Sequence, residues 1–444
     1  MNTIVIDCGA SFLKAAVFEE DKISKVIHKA SPVVHKSESV LNLEQLPALV
    51  EVIKELLREA VGKEREVKLC ISNEMHGFLL ACENGDLFTD YISWQKEYGN
   101  ILIDEKSSYA ILKDEKSIRD YICRSGMPLR AGLPSSNLFY LNRAGVLNKT
   151  DKKLYFYTLG SYLIRAISGQ TPCEHPTNAA ATGLYDLQNG NWNYDYIKYI
   201  CGDRVLFPEI GVDSISFDFE GTLVNAYPAI GDQQAALLGA DFYRDEDISF
   251  NLGTGAQVSV LAKTPEFSDD YQIRPYFIGY LKTIPHIPSG RALNVFFRFT
   301  QSVLIGFGHN PDDEKIWDVI LDSVIKDNGK TNLNIDLSFF ENAVTDHSVG
   351  SINNISEYSL TMNNLWASIF DKAALNFISV ADRLVNNKNL YNRLVFSGGI
   401  AKKIDPIRMK IIEHYPDVDY IVAENETLLG LYKYSLLNDE EHRG

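Results

Sequence analysis

The chain has 444 residues, 45% hydrophobic and 23% charged, with 59 Asp and Glu against 43 Lys and Arg and a formal net charge of -16. Such a length exceeds one ordinary core, so two domains of comparable size are expected, and the composition is globular rather than disordered or fibrous. The acidic balance repels nucleic-acid phosphates and anionic lipid and excludes both as expected partners. It still allows a small phosphate ligand, held locally by backbone N–H groups at a glycine turn.

The first predicted element is a β-hairpin: the apolar run Thr3–Asp7, a tight turn at Gly9-Ala10-Ser11, and a second apolar run at Lys14–Phe18. No basic or long apolar leader precedes it, and no segment reaches the ~18–20 apolar residues of a membrane span. The six cysteines (8, 70, 82, 123, 173 and 201) show no CxxC or Cys/His metal spacing. They read as reduced thiols, and a cytoplasmic location is expected. Ile23–His28 is a third strand, and apolar residues from Leu46 to Val61 recur at helical spacing until Gly62. Val67–Ser72 then returns as a buried strand. This β-β-β-α-β order opens a ribonuclease-H-like domain.

Halfway along, Ile248–Gly255 can be laid against Ile4–Ser11, each a strand running into a small-residue turn and a second strand. The duplication predicts an α/β protein of two ribonuclease-H-like (actin/hexokinase-like ATPase) domains flanking a cleft, 1–227 and 228–444, divided near Tyr227-Pro228. The second half closes with a helix from about Ser359 to Val385, a strand at Arg393–Phe396, a glycine turn, and a helix from about Pro406.

Three glycine turns follow apolar strands: Asp7-Cys8-Gly9-Ala10-Ser11, Asn251-Leu252-Gly253-Thr254-Gly255 and Ser397-Gly398-Gly399. Phosphate binding requires unpaired backbone N–H groups and small residues that let the ligand approach. One such turn is usually structural, whereas three in one chain, two of them duplicated, favour phosphate. Asp7 ends a buried strand, where a carboxylate is expensive without a cation or donor. It reads as a Mg²⁺ partner, against the plainer role of a turn-initiating Asp. In Gly231-Asp232-Gln233-Gln234-Ala235-Ala236-Leu237-Leu238-Gly239, Asp232 reads as the N-cap of a small-faced helix. Its functional reading is a base that accepts a proton from a substrate hydroxyl during phosphoryl transfer.

In order and spacing, Asp7-x-Gly with Lys14, Gly231–Ala236, Gly253–Gly255, Ser397–Gly399 and Glu426-Thr427-Leu428-Leu429-Gly430 resemble the FGGY carbohydrate kinases over essentially the whole chain. Met75-His76-Gly77, Trp94-Gln95 and Thr177–Ala179 fit the same resemblance. Gln272–Phe277 and Ser289–Leu293 look most like its sedoheptulokinase branch. The resemblance implies an ATP- and Mg²⁺-dependent kinase acting on a terminal hydroxyl of a sugar, such as sedoheptulose or xylulose. Its base would be Asp232, with Asp7 as the Mg-nucleotide carboxylate. Nucleotide contacts would be Gly9, Ser11, Lys14, Gly253, Thr254, Gly255, Gly290, Asn294, Gly398, Gly399 and Lys402, and the sugar would meet Met75, His76, Trp94 and Gln95. The expected partner is a small-molecule sugar, and a homodimer is compatible with the resemblance.

The sugar side departs from the family pattern, since W-x-D-x-R here reads Trp94-Gln95-Lys96-Glu97-Tyr98. That puts the acceptor in question and keeps two rivals: a catalytically weak sugar- or nucleotide-binding regulator, and an actin/Hsp70-like ATPase. The retained Asp7 and Asp232 count against the first. The lack of a visible polymerisation insert or extra domain counts against the second.

Overall fold

The computed structural model describes residues 1–9, 12–32, 45–253, 255–326, 333–385 and 390–441. Ser11 and Thr254, both expected to touch nucleotide, lie outside the described residues, as does Ala10 of the first turn. The chain forms two units, one of Met1–Asp241, Lys263–Tyr280 and Asn425–Gly444, the other of Phe242–Ala262 and Leu281–Glu424. The boundary expected at 227/228 therefore falls inside the first unit. Pro228 marks a turn and not a domain edge, because Ile230–Gly231 immediately rejoins the sheet of that unit.

The first unit is built on β1 (Asn2–Cys8), β2 (Phe12–Glu19), β3 (Lys22–Ala30), α1 (Gln45–Val61) and β4 (Glu66–Asn73). β1 pairs antiparallel with β2 and parallel with β4, and Thr222–Ala226 continues the sheet beyond β4. In β1, Ile4, Val5 and Ile6 are all completely buried, as expected of a central strand covered on both faces. Ile4 and Ile6 join the cluster that includes Leu49, Ile53 and Leu56 of α1. Val5 points the other way, into a cluster with Leu428, Leu431 and Tyr434. Burying each large aliphatic side chain contributes about 1.5–3 kcal/mol before conformational entropy is subtracted.

The opposite face is covered by Glu426–Glu441, which crosses the helix Asp232–Gly239 at very short range. A Cβ on Gly239 would stand 1.8 Å from the Glu426 carbonyl oxygen, and one on Gly430 would stand 1.7 Å from that of Ala235. Both positions must be glycine for the backbones to meet. The small-residue face read from the sequence is thus a helix–helix seam inside the first unit.

The second unit repeats the pattern. Asp247–Asn251 pairs antiparallel with Gln257–Ala262 and parallel with Arg393–Ser397, which pairs parallel with Asp419–Val422. The strand Gly279–Pro285, whose residues from Leu281 onward belong to this unit, flanks Gln257–Ala262. In each unit the first strand lies between its antiparallel hairpin partner and a parallel strand, with a further strand beyond each of these. Met362–Leu384 is the long helix expected near 359–385, and Asp405–His414 the one expected from Pro406. All six cysteines are free. No helix among the described residues is long and apolar enough to cross a membrane.

Candidate active site

Parallel pairing sets the ends of β1 and β4 side by side, with Asp7 in register with Ser72. Ser72 Oγ donates to Asp7 Oδ1 at 2.9 Å. Lys14, exposed, is the cross-strand partner of Asp7 on β2. Burial raises the Asp7 carboxyl above its ordinary value, and Ser72 and Lys14 only partly offset it. At Gly9 a Cβ would sit 2.8 Å from the Phe12 carbonyl oxygen, which explains the residue choice in that turn. Among the described residues no group of three or more His, Cys, Asp or Glu is arranged to hold a metal. Asp7 thus offers a single carboxylate.

Ile230–Gly231 pairs with Ser72–Asn73 and so delivers the next residue, Asp232, to the same strand ends. Gly231, not Asp232, is the N-cap, and Asp232 is the first helical residue, without a side-chain cap bond. The sequence had suggested Asp232 as the cap. An extended Gly231 takes that role because a Cβ there would collide with Met75 Sδ at 2.5 Å. Asp232 Oδ1 accepts from the Gln233 backbone N–H at 2.8 Å. Burial, followed by the charge of Asp7, pushes the Asp232 carboxyl up to about 7, with Glu74 adding and Arg274 opposing.

Glu74 and Arg274 were not singled out as site residues from the sequence. Glu74 follows the end of β4, and burial lifts its carboxyl to about 7 against the pull of the Tyr91 hydroxyl and the Trp94 indole. Tyr91 itself occupies the space a Cβ on Gly77 would need, its hydroxyl 2.0 Å from that position. Arg274, in Gln272–Tyr276, is 1% exposed; its Nη2 donates to Gln233 Oε1 and its Nη1 approaches Met75 Sδ at 3.5 Å. The available signal was a charged residue at the centre of an otherwise strand-like QIRPY run.

The expected sugar-side residues are placed unevenly. Met75 is buried against Arg274. His76 has a left-handed backbone (φ 63), and its Nδ1 donates to the Ala181 carbonyl at 2.7 Å. That bond fixes the ring tautomer, with Nε2 as the acceptor in the neutral form. Trp94 is 39% exposed and acts on Glu74, whereas Gln95 is exposed on the same loop. Tyr98 stacks on Tyr140 with centroids 5.8 Å apart, so packing now occupies the position where the family pattern has Arg.

In the second unit two of the glycine turns and a helix start converge. Leu252 N–H donates to the Ser397 carbonyl at 2.9 Å, and Ile400 N–H to the Leu252 carbonyl at 3.0 Å. Gly398 is left-handed (φ 88), and a Cβ there would lie 2.6 Å from the Leu252 oxygen. Gly290 opens the helix Gly290–Gly306, where a Cβ would be 2.8 Å from the Gly253 carbonyl oxygen. Gly253, Gly290, Gly398 and Gly399 are thus neighbours, with Gly255 on the same turn as Gly253. Asn294 and Lys402 stand exposed on the two helices that leave this cluster, Gly290–Gly306 and Gly399–Lys403.

Residues 2–214 match the family described as "FGGY family of carbohydrate kinases, N-terminal domain". An uncharacterized sugar kinase of Archaeoglobus fulgidus is 25% identical over 286 residues, covering 58% of this chain and 56% of that protein. A glycerol kinase of Clostridium perfringens is 24% identical over 269 residues, covering 57% and 53%. The chain thus spans about half the length of the curated relatives it matches. The crystal structure of a xylulose kinase from Rhodospirillum rubrum superposes with a TM-score of 0.79 at 16% identity, covering 99% of this chain and 90% of that one, a likeness of fold. Over residues 2–214 the chain carries a match to the N-terminal domain of the FGGY family of carbohydrate kinases.

Proposed function

We propose that the protein transfers the γ-phosphoryl group of ATP to a terminal hydroxyl of a sugar, with a ketose as the best acceptor and Asp232 as the base. The observation that carries this reading is the Asp232 carboxyl, raised to about 7 at the start of a helix beside Asp7 and Glu74. A carboxylate with that affinity for a proton is matched to removing one from an alcohol near neutral pH. Asp7 supports a metal partner: it is a half-buried carboxylate with one hydroxyl donor, and Mg²⁺ is commonly held by one or two carboxylates plus water and phosphate. When bound, Mg-ATP supplies the phosphoryl group and the positive charge that offsets Asp7.

The chain's own residues do the rest. Asp232 orients the acceptor hydroxyl and takes its proton as the new P–O bond forms. Met75, His76 and Trp94 border the carboxylates and would seat the sugar. The glycine cluster of the second unit presents backbone without side chains, which suits close approach of nucleotide phosphates. Lys96 and Tyr98 remove an acceptor from the sugar side, so lower efficiency than on a fully matched polyol follows.

A coupled assay of ADP release with Mg-ATP and a panel of D-xylulose, sedoheptulose, glycerol, gluconate and aldoses tests this reading. Sugar-dependent turnover that disappears in Asp232→Asn is expected. Turnover independent of every acceptor, or equal in the Asn variant, would overturn it. If glycerol, an aldose or gluconate exceeds each ketose tenfold, the ketose assignment falls and the kinase assignment stands.

A further inference from the structure

Asp232 follows a very short strand. Ile230–Gly231 pairs with β4 over two residues only, Ile230 with Ser72 and Gly231 with Asn73. So short a parallel ladder leaves the segment few backbone bonds of its own. Gly231 is moreover the N-cap of the helix Asp232–Gly239, and the side chain three residues on often bonds the N–H of a cap. Here that residue is Gln234, completely buried, and neither its amide oxygen nor its amide nitrogen has a hydrogen-bond partner. The acceptor comes from another element of the same unit: Gly231 N–H donates at 3.2 Å to Thr177 Oγ1, in the helix Pro176–Ala180.

The Thr177 hydroxyl is held in its accepting orientation. His175 Nδ1 accepts from the Thr177 backbone N–H at 3.2 Å, so that nitrogen carries the lone pair and the ring proton lies on Nε2. Burial pushes the imidazole down to about 3, which keeps it neutral. Thr177 Oγ1, 2.8 Å from Nδ1, therefore directs its one proton at His175 and turns its lone pairs to Gly231. Asn178 bridges the same two segments. Its Nδ2 donates to Asn73 Oδ1 at 3.0 Å and to the Ala229 carbonyl at 2.9 Å. Thr177, Asn178 and Asn73 are all buried, and in such a place a hydrogen bond is worth more than in water. Asn73 immediately precedes Glu74, and Gly231 immediately precedes Asp232. We infer that Thr177 and Asn178 are positioning residues, a clasp that joins the end of β4 to the segment carrying Asp232 and so sets where the proposed base stands beside Glu74. The inference rests on the proposed kinase function and gives its base a support that acts through Asn73, Ala229 and Gly231.

Two measurements test it on wild type, Thr177→Val, Thr177→Ser and Asn178→Asp. The first is steady-state kinetics with Mg-ATP and whichever of D-xylulose, sedoheptulose, glycerol and gluconate turns over fastest. The second is hydrogen exchange at the Gly231 amide, which needs no turnover. Thr177→Val keeps the side-chain shape and removes the hydroxyl. It should lower kcat about 10–100-fold, because a base displaced by about 1 Å loses that much, with acceptor KM and ATP KM kept within about twofold. Exchange at Gly231 should quicken at least about tenfold. Thr177→Ser, which keeps the hydroxyl, should return kcat and exchange to within about threefold of wild type. Asn178→Asp should lower kcat as Thr177→Val does. Unchanged exchange in Thr177→Val would show that no clasp exists. Faster exchange with kcat kept, or a loss carried by acceptor KM, would make the clasp structural only; either result overturns the inference, as does a serine variant no better than valine. If Thr177→Val does not fold, Asn178→Asp decides by the same kcat-against-KM split. A wild type without acceptor-dependent turnover defeats the kinase reading and the base with it, whereas the exchange comparison still decides the clasp.

Discussion

The two units use one strand order to opposite electrostatic ends. At the tip of its first strand the first unit carries Asp7, in register with Ser72; at the same place the second carries Asn251, in register with Ser397. Beyond Ser72 the first unit continues into Asn73-Glu74, and beyond Ser397 the second continues into Gly398-Gly399. One site gathers three carboxyls, all raised by burial, and the other gathers glycines. A shared fold sets where chain ends converge, and the residues at those ends decide whether protons or phosphates suit the place.

The sharpest way to break this contrast is to remove the charge from one side. Asp232→Asn should lower sugar-dependent kcat by about 10²–10⁴ while nucleotide affinity changes little, checked by steady-state kinetics and by calorimetry with ADP. Near-normal turnover would make the carboxyl a local turn residue. On the other side, Gly398→Val forces a β-branched residue into a left-handed position 2.6 Å from a carbonyl oxygen. It should raise ATP KM about tenfold or more with acceptor KM kept, and circular dichroism should confirm that the second unit still folds. Asp7→Asn makes the first strand tip resemble Asn251 and should raise the Mg²⁺ concentration for half-maximal activity about tenfold, with acceptor affinity unaltered.

Two smaller effects follow from the raised carboxyls. A base at about 7 is half protonated there, so kcat/KM should fall tenfold per pH unit well below 7 and level off above it. An acid limb near pH 4 would mean that the site does not hold the proton as described. The sign for stability is the reverse of the usual carboxylate. A folded value above the unfolded one favours folding at low pH, and that contribution fades as pH rises through about 7. Asp232→Asn should therefore stabilise the neutral-pH protein by about 0.5–2 kcal/mol even as it loses activity. An unchanged or lower melting temperature at pH 8 would contradict this.

Much of this contrast was legible in the sequence. The hairpin, α1 and β4 announce themselves because period-2 and period-3.6 apolar runs are bounded by glycine. The internal duplication located both strand tips. Three things were hidden for one reason, the wandering of the chain between units. Lys263–Tyr280 leaves the second unit's strands to join the first, the C-terminal helix does likewise, and the break expected at Pro228 falls within one unit. Arg274 could not be placed beside Asp232 without knowing that excursion. Glu74 was overlooked because a carboxyl at a strand end reads as solvated until the burial around it is seen. The N-cap was displaced by one residue because Asp is a common cap, and the crowding by Met75 that demands glycine is not local in sequence.

The glycine seam between Asp232–Gly239 and Glu426–Glu441 has a consequence for how the protein is made. A ribosome releases the sheet of the first unit long before the helix that covers its second face. Val5, Ala16 and Cys70 then wait, covered only by residues such as Ile230 and Leu238 and not by Leu428, Leu431 and Tyr434, while most of the second unit is synthesised at about 5–20 residues per second. The nascent chain therefore passes through a stage with one finished α/β layer and one half-covered apolar face, a natural station for a chaperone. A nonsense mutation between Tyr280 and Glu426 leaves the polypeptide permanently at that stage.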